Sequence, residues 1–233
     1  MVRAILREIK KPGTGKTQTR RVLKSPFLKL EDGVHPGLIV GKEYFSCCSG
    51  GDQWATPSGA IKYRPGDRLY VREAWRVSRI HDQTAPRDLK PRTMTVFFEA
   101  GGSIANQNAP GDWMPDSWPE DGERPYWAGK FRQAMHIPRW ASRITLGVTG
   151  VKVERLQDCS EADAIAEGIA KFGRFYGVPE ADWDSASTRS AVDAYANLWD
   201  EINGSGAWDK NPWVAAYTFR PILGNIDQIA RAA

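Results

Sequence analysis

The stretch from Trp140 to Leu156 carries the clearest structural pattern in the chain. Ile144, Leu146 and Val148, then Val151 and Val153, recur at the period of a strand with one face buried. Gly147 and Gly150 allow a bulge or bend. A second strand signal follows the turn Arg64-Pro65-Gly66-Asp67, where Pro-Gly presets the backbone angles. In Arg68 to Trp75, Leu69, Val71 and Glu73 share one face, and Tyr70 and Arg72 share the other. Thr93 to Ala100 and Pro212 to Phe219 read as further strands, the last pairing with the strand near Leu146 to complete a barrel.

Helices are fewer. Ser160 is an N-cap, Asp163 stands at the third helical position of a variant capping box, and Gly168 stops the helix after Glu167. Ser187 to Ile202 is amphipathic, with Val192, Tyr195, Ala196, Trp199 and Ile202 on one face. Thr14 caps a helix expected from Gly15 to about Leu23, stopped by Pro26. Val2 to Ile9 reads as a strand or as the first turn of a helix. Residues 24 to 62 are loops with short strands around Leu38–Val40 and Glu43–Ser46. Residues 101 to 125, with Trp113 and Trp118, form an insertion or lid, and 170 to 185 form a second insertion. The expected architecture is a small mixed β-barrel with flanking helices, of α+β class.

At 233 residues the chain buries a sizeable core as one domain or two. A net charge of +4 suits a polyanionic partner without requiring one. Arg20, Arg21 and Lys24 follow Lys16 closely, and Arg64, Arg68, Arg72 and Arg76 recur at fours; either set is a solvated face or a phosphate contact. Ten Trp are available to stack on bases, although packing is the commoner role of any one of them. Cys47, Cys48 and Cys159 make no disulfide framework. His35, His81 and His136 are scattered without metal-ligand spacing, so neither metal nor cofactor is expected. The first residues do not resemble a signal peptide, and no long apolar run marks a membrane span. A cytoplasmic location and no membrane partner are therefore expected.

Gly13-Thr14-Gly15-Lys16-Thr17 resembles a phosphate-binding loop only superficially. The Walker pattern needs a glycine where Lys10 stands. Gly15 to Arg21 offers an amine and a hydroxyl, and Ser160 to Gly168 a carboxylate at the end of a capped helix; together they make a plausible acid–base and nucleophile set if the fold unites them. Glu73, inside an apolar strand, reads as an ion-pair partner or a site carboxylate.

Gly15-Lys16-Thr17-Gln18-Thr19-Arg20-Arg21, then Pro65 to Trp75, then Ser160 to Gly168 together resemble the ASCH superfamily, within the PUA-like β-barrel fold. The likeness is closer to the longer ASCH-like proteins of bacteriophages and prophages, where Met135 to Ile144, Trp199 to Gly204 and Asn211 to Val214 are also familiar. The resemblance implies one domain over residues 1–223, with insertions at about 24–62, 101–135 and 170–186, and a tail over 224–233. It implies a cleft for RNA or a modified nucleoside. Small ASCH amidohydrolases remove the acetyl group of N(4)-acetylcytidine with a lysine, a threonine and a glutamate, which fall on Lys16, Thr19 and Glu167. The family's Gly-Arg-Lys-Thr lead-in is replaced here by Pro12-Gly13-Thr14-Gly15. Under this reading Lys16 is the base, Thr19 the nucleophile, and Glu167 the proton shuttle. Arg20 and Arg21 hold phosphate or the oxyanion. Arg72, Glu73, Trp75 and Trp140 contribute to substrate binding, with Trp75 or Trp140 stacking on the base. The rival expectation is a non-catalytic RNA-binding or phage accessory protein. Oligomeric state is not legible.

Overall fold

A computed structural model describes residues 1–24, 28–29, 44–49, 52–57, 60–90, 94–106, 113–115, 126–179 and 188–229. In chain order its regular elements begin with helix α1 (Val2–Lys10), followed by strands β1 (Gln18–Val22), β2 (Leu28–Lys29), β3 (Tyr44–Ser49) and β4 (Asp52–Pro57). Next come β5 (Arg68–Tyr70), β6 (Trp75–Arg76), β7 (Met94–Phe98), β8 (Ser103–Asn106), β9 (Trp113–Pro115) and β10 (Ile144–Arg155). Helix α2 (Glu161–Ala166), the pair β11 (Ala170–Phe172) and β12 (Phe175–Gly177), helix α3 (Ala191–Asn203) and β13 (Trp213–Leu223) complete the set. The protein is thus α+β, with several antiparallel sheets and few helices. No closed barrel forms among the described residues, because the strands divide among separate sheets.

The chain falls into two compact units. The first comprises Met1, Arg3–Asp67 and Val148–Arg220. Here β13 lies between β1 and β10, so the expected pairing of the last strand with the Trp140–Leu156 stretch holds. β1 is where the sequence reading fails. A helix is expected over Gly15–Leu23, yet Gln18 to Val22 run antiparallel to β13, from Gln18 opposite Thr218 to Val22 opposite Val214. Branched Thr19 and Val22 suit a strand, and the partner that satisfies their backbone lies about 200 residues away, beyond any local signal. The helix lies earlier, over α1, which buries Ala4 and Ile5 and carries Arg7 and Lys10 in its last turn, where cations suit the helix dipole.

α2 follows the local signals closely. The Ser160 hydroxyl accepts from the Asp163 N–H while Asp163 accepts from Ser160 N–H, and Gly168 ends the helix at φ 108°. α3 packs Ala191, Ala194, Tyr195 and Trp199 into a core with Leu156, Ala164, Ile169 and Val214. Ile202, expected on that buried face, is exposed. The segment expected as a second insertion contains the β11–β12 hairpin, with Phe172 opposite Phe175.

The second unit comprises Val2, Arg68–Gly147 and Pro221–Ala233. β5 pairs with the first residues of β10, Leu69 opposite Leu146. The strand expected over Arg68–Trp75 is shorter, but its alternation holds: Val71 and Glu73 are buried and Arg72 is exposed. β6, β7, β8 and β9 form a sheet in sequence order. β8 and β9 lie in the segment expected as an insertion or lid from residue 101, with Val96 opposite Ile104 and Ala105 opposite Met114. Trp118 lies outside the described residues, as do the strand expected at Leu38–Val40 and residue 43 of the Glu43–Ser46 strand. Trp75, Val77, Val96, Phe98 and Ile104 form this unit's core.

Candidate functional site

Three local devices deliver Lys16 to the first unit's interior. Lys11-Pro12-Gly13 ends α1, and the Glu8 carboxylate accepts from Gly13 N–H and Gly15 N–H, fixing the loop that follows. Gly15 is required there, since a Cβ would collide with the backbone of Ala4 and Glu8. Lys16 N–H then donates to Ala4 O at 3.0 Å, and Thr17 N–H donates to Ala166 O at 2.8 Å. The chain is thereby stitched between the start of α1 and the end of α2. Gly168 completes the fit: a Cβ at this left-handed position would stand 3.3 Å from Ala4 Cβ and 3.5 Å from Lys16 Cβ.

The result is a buried lysine on a buried glutamate. Lys16 Nζ donates to the Glu167 carboxylate and, at 2.8 Å, to the Glu167 carbonyl oxygen. Burial is the largest influence on Lys16 and lowers its pKa below the ordinary value; the Arg21 and Arg20 charges push the same way, and Glu167 only partly offsets them.

Arg20 organises the carboxylates around this pair. Its guanidinium reaches Glu154 at 2.8 Å, Glu167 at 3.3 Å and Asp163 at 3.5 Å, and donates to Gln18 Oε1 at 2.7 Å. It also lies 5.7 Å from the Tyr195 ring centroid. Burial disfavours its charge, but Cys159, Glu167 and Glu154 more than compensate and raise its pKa. The side chain is fully shielded from solvent, so the expected phosphate-holding role does not suit Arg20. Arg21, one residue on, is exposed and free of carboxylates among the described residues. The Tyr195 phenol pKa is raised by burial first and by the Glu167 charge second. The Cys159 thiol is pushed up to about 12, chiefly by burial.

Beside these groups lies a cavity of about 320 Å³, lined by Lys16, Thr19, Arg20, Arg21, Glu167 and Tyr195 together with apolar Val22, Val178, Leu198, Trp199 and Ile202. Thr19 is half-buried there. The three residues proposed from sequence as a set thus face one space, although 151 residues separate Lys16 from Glu167. Such a volume is on the scale of a small-molecule pocket.

The other sequence candidates do not line it. Glu73 is buried in the second unit, where Arg143 clasps it through Nε at 3.1 Å and Nη2 at 2.8 Å, so the ion-pair alternative is the one observed. Trp75 is fully buried in that unit's core, with Arg132 5.3 Å from its ring centroid. Its ring faces are occupied by protein, which removes it as a base-stacking platform. Trp140 is half-buried against the same core. Arg72 is exposed and donates to Tyr70 Oη and Met135 O.

Glu154, Asp163 and Tyr195 were not singled out as site residues from the sequence. Val153 and Glu154 are both buried, so strand alternation gives no warning of Glu154. Asp163 announces itself only as a cap, and Tyr195 only as part of an apolar helix face. No protein-family model, curated protein or solved structure matches the chain. Among the described residues, no helix is long and apolar enough to cross a membrane.

Proposed function

We propose that this protein is an ASCH-like amidohydrolase that removes an acyl group from the exocyclic amine of a modified cytidine, free or within RNA. The observation that carries the reading is the buried Lys16–Glu167 pair opening on the same cavity that Thr19 lines. A lysine whose pKa is lowered by burial spends more of its time as the free amine, the form that accepts a proton. Lys16 takes the Thr19 proton as the oxygen attacks the acyl carbon. Lys16 hands that proton to Glu167, which delivers it to the amine as the C–N bond breaks, and water then hydrolyses the Thr19 ester to release the carboxylic acid and restore the hydroxyl. Arg21, at the edge of the cavity and without a carboxylate, is the cation for the developing oxyanion. Arg20 keeps Glu167 and its neighbours in place rather than touching substrate.

The test is direct. Purified protein is incubated with N(4)-acetylcytidine and the release of cytidine is followed. Turnover that vanishes in the Thr19→Ala protein supports the reading. No turnover on a panel of N-acylated nucleosides, with the protein shown to be folded, replaces it with the RNA-binding or phage-accessory reading, in which the cavity binds without chemistry.

A further inference from the structure

The second unit carries a surface that the catalytic reading does not use. From Val71 to Val77 the odd-numbered residues are buried and the even-numbered ones point outward, as in a strand with one wet face. Residues 128–132 run antiparallel beside them: Trp75 N–H and O bond Arg132, and Ser78 bridges Ala128. This register places Arg76 beside Phe131, with the guanidinium 5.6 Å from the ring centroid. The chain then turns at Ser78 and exposes Arg79, which lies 5.5 Å from the Tyr126 centroid. Arg72, at the other end, stands 5.6 Å from the Tyr70 centroid. Tyr126 is 84% exposed and Phe131 50% exposed.

We infer that this face binds single-stranded RNA, a partner that deepens the proposed function and rests on its nucleic-acid reading. The chemistry is specific. Single strands are held by basic side chains on the backbone and by aromatic rings under successive bases. Here each ring has a guanidinium on hand, whose planar fork suits phosphate and whose face stacks on aromatics. Arg72 and Arg79 have no carboxylate partner among the described residues, so their charges are available to a polyanion. Only Arg76 is countered, by Glu99 at 2.7 Å. Of the arginines spaced by four in the sequence, Arg72 and Arg76 lie on this face.

The experiment measures binding of a short labelled oligouridylate by fluorescence anisotropy across a salt series, with the full chain. Two phosphate contacts, by Arg72 and Arg79, predict a slope of log affinity on log salt of about −1.4. The Tyr126→Ala/Phe131→Ala double variant leaves charge untouched and is expected to weaken binding by about tenfold or more. Arg79→Ala is expected to flatten the salt slope by about 0.7. Both variants lie at exposed positions, and both should leave turnover of a free acylated nucleoside unchanged. Retained affinity in the double variant overturns the inference, as does the absence of RNA binding at low salt; capture of an acidic protein in place of RNA also overturns it. Because nucleoside turnover and RNA binding are read separately, loss of one reading leaves the other testable.

Discussion

Lys16 Nζ is held by both the carboxylate and the backbone carbonyl of Glu167, at the exact point where Gly168 ends α2. The double attachment makes the lysine a fixed part of the helix terminus rather than a mobile surface charge. It also alters what a substitution there should do. Lys16 is only 7% exposed.

Removing Lys16 alone should therefore cost both activity and stability. Lys16→Met leaves the Glu167 charge buried against Arg20 only, and breaking such a pair typically costs about 3–5 kcal/mol. Lys16→Met/Glu167→Gln removes both charges and should recover most of that loss while remaining inactive. Urea denaturation of the two variants checks this. Equal destabilisation in both would show that the charges are not coupled.

The pH dependence follows from the direction of the Lys16 shift. Its folded pKa lies below 10.5, so between the two values the unfolded chain holds a proton that the folded chain lacks, and stability rises with pH across that window. Turnover should rise with pH up to the folded pKa and stay level across that window. Cys159 acts oppositely: its ordinary value of 9.0 becomes about 12, so its contribution is full below 9.0 and is lost as pH climbs toward 12. Melting temperatures against pH should accordingly fall less steeply at alkaline pH in Cys159→Ala. A pH-independent rate in the wild type would remove Lys16 as the base.

Thr19 separates nucleophile from scaffold. It is half-buried and takes part in β1 through its backbone, so Thr19→Ala and Thr19→Ser should both fold with melting temperatures close to wild type. Thr19→Ser should keep part of the turnover, and Thr19→Ala should lose about 10²-fold or more. Full turnover in Thr19→Ala would place the attacking oxygen elsewhere, on water for example.

Arg20 should behave as a structural cation. Arg20→Ala strands Glu154, Asp163 and Glu167 without their shared partner, and a loss of about 3–5 kcal/mol is expected. Arg21→Ala, at an exposed position, should change stability by less than about 0.5 kcal/mol yet lower turnover. Circular dichroism melts with a nucleoside assay distinguish the two. The reverse pattern would reassign the oxyanion role to Arg20.

Much of the local architecture was legible. The Ser160 cap, the Gly168 stop, the Pro65–Gly66 turn and the β10 alternation depend on backbone angles and hydrogen bonds among residues a few positions apart, and residue type alone expresses them. The set Lys16, Thr19 and Glu167 was available only through likeness to a family pattern. The Gly15–Leu23 helix failed, and no closed barrel forms among the described residues, because strand partners are chosen by distant segments.

What the sequence by itself determined is the α+β mixture, the position of α2 and the amphipathic α3, and the presence of an amine, a hydroxyl and a carboxylate available for chemistry. Tertiary structure alone decided that Lys16 is buried on Glu167, that Arg20 joins Glu154 across 134 residues of chain, and that Trp75 is core rather than platform. The physical reason is range. Caps and turns are satisfied by neighbours a few residues away, whereas burial and charge pairing depend on which remote segment excludes the water.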